Sequence, residues 1–403
     1  MKKKLLCVGL VIGMLCTSCG PFRSDVSSGD AVVISEALQD EKNLDKKADV
    51  VTSEPNKADA TPEAVSGQGE ETTPAPTANQ GNEATATPGQ AAPSATYVPI
   101  ISQDKVKLYD STGTAVIGDT GYEIYNYVPS VAEVYAKMIN RAGKQFEKSC
   151  QVYDLVVPTS VGITLPDNKV DKVGSSDQKE SIDKLYKKIK SPVKKIKLYD
   201  PLMQHRTEYI YYRTDHHWTA LGAYYAYRQF CNDTGRTPNE LSQYRKASFG
   251  SFIGTFYSDS NQNKNLRKDK VKVYYPQGRH ITMKVRTDSG KMVNSDVIED
   301  ASGYGISAKY CTFLGGDNAY SIVTNKDIKD DSACIVVKES FGNALVPYLA
   351  DHYHKIYVVD YRYWTGKLSA LAKEKKVQDI LFVNNISMTR NSYLVGKLSQ
   401  IIH

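Results

Sequence analysis

The chain has 403 residues, 41% hydrophobic and 24% charged, with a formal net charge of +6. That length allows two or three domains, but the composition is uneven and only the C-terminal three quarters is rich enough in apolar residues to build a core. The positive balance favours anionic partners, and the export signal at the N-terminus argues against nucleic acid among them.

Lys2-Lys3-Lys4 is followed by an apolar run from Leu5 to Leu15. A basic head and a run too short to span a bilayer read as a signal peptide. The run ends in Leu15-Cys16-Thr17-Ser18-Cys19-Gly20, which resembles a bacterial lipobox with Cys19 as the lipidated residue. Cys16 stands where Leu is usual, and a plain secretory signal is the alternative. Residues 1–19 are therefore expected to be a lipoprotein signal peptide, and the mature chain to sit extracytoplasmically, lipid-anchored to the outer face of the bacterial cell membrane.

Residues 20–95 are rich in Pro, Thr, Ala, Gln, Gly and Glu; from position 21 they hold thirteen acids against five bases, with Phe22 the only aromatic. Such a stretch buries too little apolar surface to offset its chain entropy. It reads as a disordered acidic tether with room for one short helix, Ala31 to Leu38, and spans about 45–50 Å as a random coil.

The remainder, 96–403, is the expected folded domain, and it carries more positive charge than the whole chain. Anionic envelope polymers would suit it, as would a solvated basic surface with no specific partner. The runs Lys187-Lys188-Ile189-Lys190 with Lys194-Lys195, and Arg267-Lys268-Asp269-Lys270, fall at a helix end and in a loop, where solvated faces are the first expectation. Cys150, Cys231, Cys311 and Cys334 match no zinc spacing and leave one or two disulfides open.

The elements follow in order. Val116 to Tyr125 looks extended around Gly118 and Gly121. Apolar positions from Val131 to Phe146 recur at helical spacing, with Ser130 as N-cap. Gln151 to Val157 is a strand, Ser176 to Lys190 a helix, Lys195 to Tyr199 a strand and Ala220 to Cys231 a helix. Residues 240–330 hold short β-like pieces, including Tyr310 to Leu314, with Gly315-Gly316-Asp317-Asn318 as a hairpin-type turn. They read as a β-rich insertion. Alternation then resumes with strands Ala333–Lys338, Lys355–Asp360 and Asp379–Val383, each followed by a helix. Continuous apolar strands alternating with helices argue for an α/β fold with a mainly parallel sheet.

The chemistry concentrates in two places. Tyr212-Arg213-Thr214-Asp215-His216-His217-Trp218-Thr219 sets an acid beside two imidazoles. A carboxylate can orient an imidazole as a general base, or the cluster can hold a metal. Ser340 lies between a buried strand and a helix, where helix N–H groups can stabilise an oxyanion. A Ser at such a junction is more often only a cap. His352-Tyr353-His354 has alternating-ligand spacing, but in a turn it is more often nothing.

Thr214-Asp215-His216-His217-Trp218-Thr219 resembles the signature of the DHHW family of bacterial envelope proteins. That family is similar to alginate O-acetyltransferase-like members of the SGNH (GDSL) hydrolases. The resemblance extends through Val157-Pro158-Thr159-Ser160, Leu314 to Asn318, Lys338 to Pro347 and Asp360-Tyr361-Arg362-Tyr363. It implies an SGNH-hydrolase-like three-layer sandwich and a triad of Ser340, His217 and Asp215, with His216 as base if the match is shifted. Glu339 departs from the Asp usual before the nucleophile. Arg362 falls where the family keeps an Arg that would hold an anionic group; Asn384, Asn385 and Gly342 are the oxyanion and substrate-binding candidates. The implied function is O-acetyl transfer to an extracellular or cell-wall polysaccharide, anionic or neutral, through an acyl-enzyme. No cofactor or metal is expected, and a membrane-bound protein would donate acetyl. A carbohydrate O-acetylesterase and a non-catalytic polysaccharide-binding or wall-assembly protein are the rivals.

Overall fold

The computed structural model describes residues 97–402. The expected signal peptide, Cys19, the expected 20–95 tether and the expected short helix at Ala31 to Leu38 lie outside the described residues. No helix among the described residues is long and apolar enough to cross a membrane.

The described chain opens with a three-stranded antiparallel sheet: β1 (Val106–Tyr109), β2 (Thr114–Ile117) and β3 (Thr120–Glu123). Gly118, at φ 59°, makes the β2–β3 turn. The helix Pro129–Phe146 follows. Pro129 occupies its first turn and Val128 the cap position, so Ser130 is inside the helix rather than its cap. Proline supplies a helical φ where an N–H would be unpaired anyway. Strand β4 (Gln151–Val157) leads to the helix Gln178–Lys188, capped by Asp177 accepting from the Glu180 N–H, and to β5 (Lys194–Ile196). The helix Ala220–Thr234 is capped by Thr219 and ends at Gly235, whose left-handed φ of 71° lets the chain turn away.

Strands β6 (Arg245–Phe252) and β7 (Asp269–Tyr275) pair only with each other. β8 (Ile281–Arg286), β9 (Met292–Ser295) and β10 (Tyr320–Asn325) join the main sheet. β11 (Ala333–Lys338), β12 (Lys355–Asp360) and β13 (Asp379–Asn385) follow, separated by the helices Gly342–Leu349 and Leu368–Lys375. The helix Ser392–Ile401, capped by Asn391, closes the described chain.

The eight-stranded sheet has the order β5-β4-β13-β11-β12-β10-β8-β9. Neighbours from β5 to β12 are parallel, and β10, β8 and β9 extend that edge antiparallel. The fold is thus α/β with a mixed sheet. β11 is buried along all six residues. Its Cys334 and Val336 enter one hydrophobic cluster, and Ile335 and Val337 another. Apolar residues at consecutive positions are what a strand covered on both faces requires.

Further local expectations differ from the structure, beginning with Tyr199, which opens the short helix Tyr199–Gln204 after β5 ends at Ile196. The segment read as strand Tyr310 to Leu314 forms a 3-10 turn, Lys309–Thr312. Gly315 to Asn318 is not a hairpin turn, because β10 pairs with β8 and β12. Leu314, Gly315 and Gly316 instead take successive left-handed φ values of 58°, 66° and 94°. Glycine adopts such values without a Cβ penalty, and the winding delivers Asp317 to two cations described below. Cys150, Cys231, Cys311 and Cys334 form no disulfide among the described residues.

Candidate active site

The Asp-His-His stretch is a loop folded back on itself. Tyr211 and Trp218 form an isolated antiparallel bridge, and the Tyr212 N–H donates to the His217 carbonyl at 3.2 Å. Trp218 is fully buried, and its indole N–H donates to the Phe341 carbonyl at 2.9 Å. One apolar side chain therefore anchors the loop in the core and ties it to the turn that carries Ser340.

Within the loop, Asp215 Oδ1 accepts both the backbone N–H of His217 (3.0 Å) and its ring Nδ1–H (2.6 Å). A carboxylate two residues before a His fits this closed turn, since a short acid side chain reaches the backbone two residues on. Asp215 Oδ2 accepts the Thr255 N–H at 3.2 Å. His217 Nε2 lies 2.7 Å from Ser340 Oγ. With Nδ1–H given to Asp215, Nε2 is the lone-pair nitrogen and the serine hydroxyl donates to it. His216 turns elsewhere: its Nδ1 pairs with Thr255 Oγ1 at 2.9 Å, and its ring lies 3.9 Å from the His217 ring. The hydrogen-bond order is therefore Asp215, His217, Ser340, and His216 stands outside it.

All three groups are buried. Burial lowers the His217 pKa, the neighbouring His216 lowers it further, and Asp215 only partly opposes them. For Asp215 burial acts upward, but His217, His216 and the hydrogen bonds from His217 outweigh it and hold the carboxyl well below its ordinary range. The resting state is a neutral imidazole beside an ionised carboxylate, the state a general base requires.

Ser340 follows the C-terminal end of β11, which lies between β13 and β12. Glu339 locks the turn: Oε1 accepts the Asn385 N–H (3.0 Å), and Oε2 accepts the Phe341 N–H (3.3 Å) and is 3.2 Å from Ser340 Oγ. Burial pushes the Glu339 carboxyl upward, against those donors and Arg362. The longer side chain thus still serves the turn, and it also joins the ends of β11 and β13.

The remaining candidates fall differently. Asn384 is fully buried and donates to the Tyr135 hydroxyl at 3.3 Å, which in turn donates to Asp154 at 2.5 Å. Strand alternation turns Asn384 into that polar core cluster, so it is not an oxyanion donor. Asn385 meets the site through its backbone N–H on Glu339, while its carboxamide oxygen accepts the Ser387 N–H. The Gly342 N–H donates to the Glu339 carbonyl at 3.0 Å; its value is space, since a Cβ there would meet Lys338 Cβ at 2.5 Å. Arg362 does not offer its guanidinium to a ligand: it is bidentate on Asp360 (2.9 and 2.6 Å) and pairs with Asp317 at 2.9 Å. Lys338 joins them, 2.7 Å from Asp360 and 3.4 Å from Asp317, and Asn343 donates to Asp317 at 2.8 Å. This compensated cluster lies directly behind the nucleophile turn.

Three contributors carried no sequence signal. Tyr310 stacks on His217 at 3.9 Å and donates its hydroxyl to the Ser340 carbonyl at 3.1 Å. Asp269 accepts from the N–H groups of Arg213 and Thr214, from Thr214 Oγ1 at 2.6 Å and from the Tyr209 hydroxyl. Gly254 lies so close to Asp215 that any Cβ would overlap its carboxyl group.

Asp215, His216 and His217 also place one ligand atom each within 4.8 Å of one another. Both ring nitrogens of His217 are already engaged, so a cation held there would displace Ser340 or Asp215. His352 and His354 do not act together: His352 pairs with the Tyr227 hydroxyl, and His354 with the Asn325 and Ile328 carbonyls.

The DHHW protein family matches residues 95–359. A crystal structure of a DHHW family protein from Eubacterium siraeum superimposes with a TM-score of 0.68 at 27% identity, covering 76% of this chain and 100% of that one. Bacillus cereus PatB1 superimposes with a TM-score of 0.57 at 18% identity, covering 71% of this chain and 97% of its own. The same protein with a sulfonyl adduct gives 0.57 and 18%, with 72% and 96% covered. At that identity PatB1 speaks for the fold alone. No curated protein sequence matches the chain. The family match takes in more than half of the chain, including Asp215, His217 and Ser340, and the chain belongs to the DHHW family.

Proposed function

We propose that this protein is a surface lipoprotein, anchored through Cys19 on an acidic tether, whose SGNH-like three-layer domain transfers acetyl groups to an envelope polysaccharide. The observation that carries the reading is the unbroken hydrogen-bond chain from Asp215 through His217 to Ser340 Oγ, 2.6 and 2.7 Å long. Ser340 Oγ gives its proton to His217 Nε2 and attacks the acyl carbonyl. The donor's leaving group takes that proton, and an acyl ester remains on Ser340. A sugar hydroxyl then loses its proton to His217 and attacks the ester carbonyl. Ser340 leaves and recovers the proton. A membrane-bound partner supplies acetyl from the cytoplasmic side, which suits a tethered domain. Membership of the DHHW family, and the resemblance of its signature to acetyltransferases, support transfer over hydrolysis.

The test incubates the full chain with p-nitrophenyl acetate and polysaccharide fragments. Acetylated fragments that vanish with Ser340→Ala are expected. Free acetate alone would make it an esterase. Full biological activity of Ser340→Ala, together with no labelling by a serine-directed sulfonyl fluoride, would leave a non-catalytic protein of this fold.

A further inference from the structure

The β6–β7 ribbon has one face in the core, with Phe249, Phe252, Val271 and Val273 buried. On the other face Lys270 and Lys272 are exposed, alternating with the buried Asp269, Val271 and Val273, and Lys268, also exposed, stands just before the strand. The alternation removes the one acid from the basic run: Asp269 points inward to Thr214, Arg213 and Tyr209. Lys246, also exposed, lies on the paired strand, whose Ser248 is opposite Lys272. Among the described residues none of these four lysines forms an ion pair, whereas the neighbouring Arg267 is held by Asp119 at 2.8 Å. Residues two apart on a strand are roughly 6–7 Å apart. The face therefore carries a cluster of exposed cations with no ion-pair partners among the described residues.

The opposite face of the ribbon meets the loop that holds Asp215. Asp269, between Lys268 and Lys270, holds the backbone next to Asp215, and the β6–β7 connection supplies Thr255 to Asp215 and His216. We infer that this face docks a linear anionic polysaccharide beside the loop that holds Asp215 and His217. The inference rests on the reading that the acceptor is a polysaccharide, and specifies its charge. A membrane surface fits less well. The exposed large apolar residues of the described chain, Val98, Ile101, Leu108, Val170, Ile306, Tyr363 and Tyr393, all lie outside the ribbon strands, so the ribbon has no apolar side chain to insert.

Binding is measured on the full chain carrying Ser340→Ala, so that it does not depend on acyl transfer. The probe is polygalacturonate, titrated at low and at physiological salt. The triple variant Lys268→Glu, Lys270→Glu, Lys272→Glu is expected to weaken binding at least tenfold and to flatten its salt dependence. A control triple at the other basic run, Lys187→Glu, Lys190→Glu, Lys194→Glu, should change it less than twofold. Thermal melting of both triples checks that the fold is kept. Equal losses from both triples, or no loss from either, would overturn the inference. Equal affinity for oligothymidylate, or tighter binding to anionic lipid vesicles, would overturn the glycan assignment. Intact ribbon-dependent binding without any acetyl transfer would count against the transferase reading and leave this one standing.

Discussion

His217 Nε2 stands 2.7 Å from Ser340 Oγ across a sequence separation of 123 residues. Two buried links besides that bond hold the two segments together: the Trp218 indole donates to the Phe341 carbonyl, and Tyr310, stacked on His217, donates its hydroxyl to the Ser340 carbonyl. Ser340 and His217 are thus positioned by the core, and that geometry makes the following outcomes specific.

Replacing Ser340 or His217 with Ala should lower acetyl turnover by about 10³-fold or more, because each removes a member of a unit that acts together. His216→Ala should cost less than about tenfold, since that ring pairs with Thr255 and does not reach Ser340. Turnover of p-nitrophenyl acetate reads all three. A His216 effect as large as that of His217 would reverse the assignment of the base.

Asp215→Asn should reduce kcat by about 10⁴-fold while the protein still melts cooperatively. An amide in place of the carboxylate no longer fixes Nδ1–H, so the lone pair is no longer held toward Ser340. A variant retaining a tenth of the activity would show that Asp215 does not orient the base.

The pH profile has a definite sign. Only neutral His217 accepts the serine proton, and burial with His216 nearby pushes its pKa down. Activity should therefore persist below the ordinary imidazole value of about 6.5 and fall only as pH drops through the depressed one. His216→Gln removes one of the causes and should move the acid limb upward. A wild-type limb above pH 7 would contradict the electrostatics of the site.

Gly254→Ala tests the acid's seat. The added methyl overlaps the Asp215 carboxyl group, so the acid must shift. A shift of about 1 Å at a catalytic group costs on the order of 10²-fold in rate. The expected result is a kcat loss of that size with KM nearly unchanged; unaltered kcat would show that the seat is not tight.

Asp269→Ala leaves the N–H groups of Arg213 and Thr214 and the Thr214 hydroxyl without their shared acceptor. Unsatisfied buried donors cost about 1–3 kcal/mol each. Urea unfolding should show a loss of at least about 2 kcal/mol together with reduced kcat. Wild-type stability would remove Asp269 from the support of the loop.

The chain's own order of residues determined a good deal. Runs such as Ala333–Lys338 and Lys355–Asp360 are apolar at consecutive positions, so their strand character and burial on both faces were legible, and β11 and β12 fall on those spans. The chemical types in Asp215-His216-His217 and the strand-to-helix setting of Ser340 marked the groups that the structure brings into one hydrogen-bond chain. Tertiary structure decided which of them work together. A local pattern does not contain the direction of a side chain at a strand end, where one step along the chain reverses the face. Asn384 accordingly went to the Tyr135 and Asp154 cluster, and Asp269 turned inward from a run of bases. Nor does it contain which opposite charges meet: Arg362 is held by Asp360 and Asp317, the latter brought in by a backbone winding that read as a hairpin. The choice between His216 and His217 was of the same kind. Both stand beside one acid in the sequence, but only the fold brings Ser340 to His217.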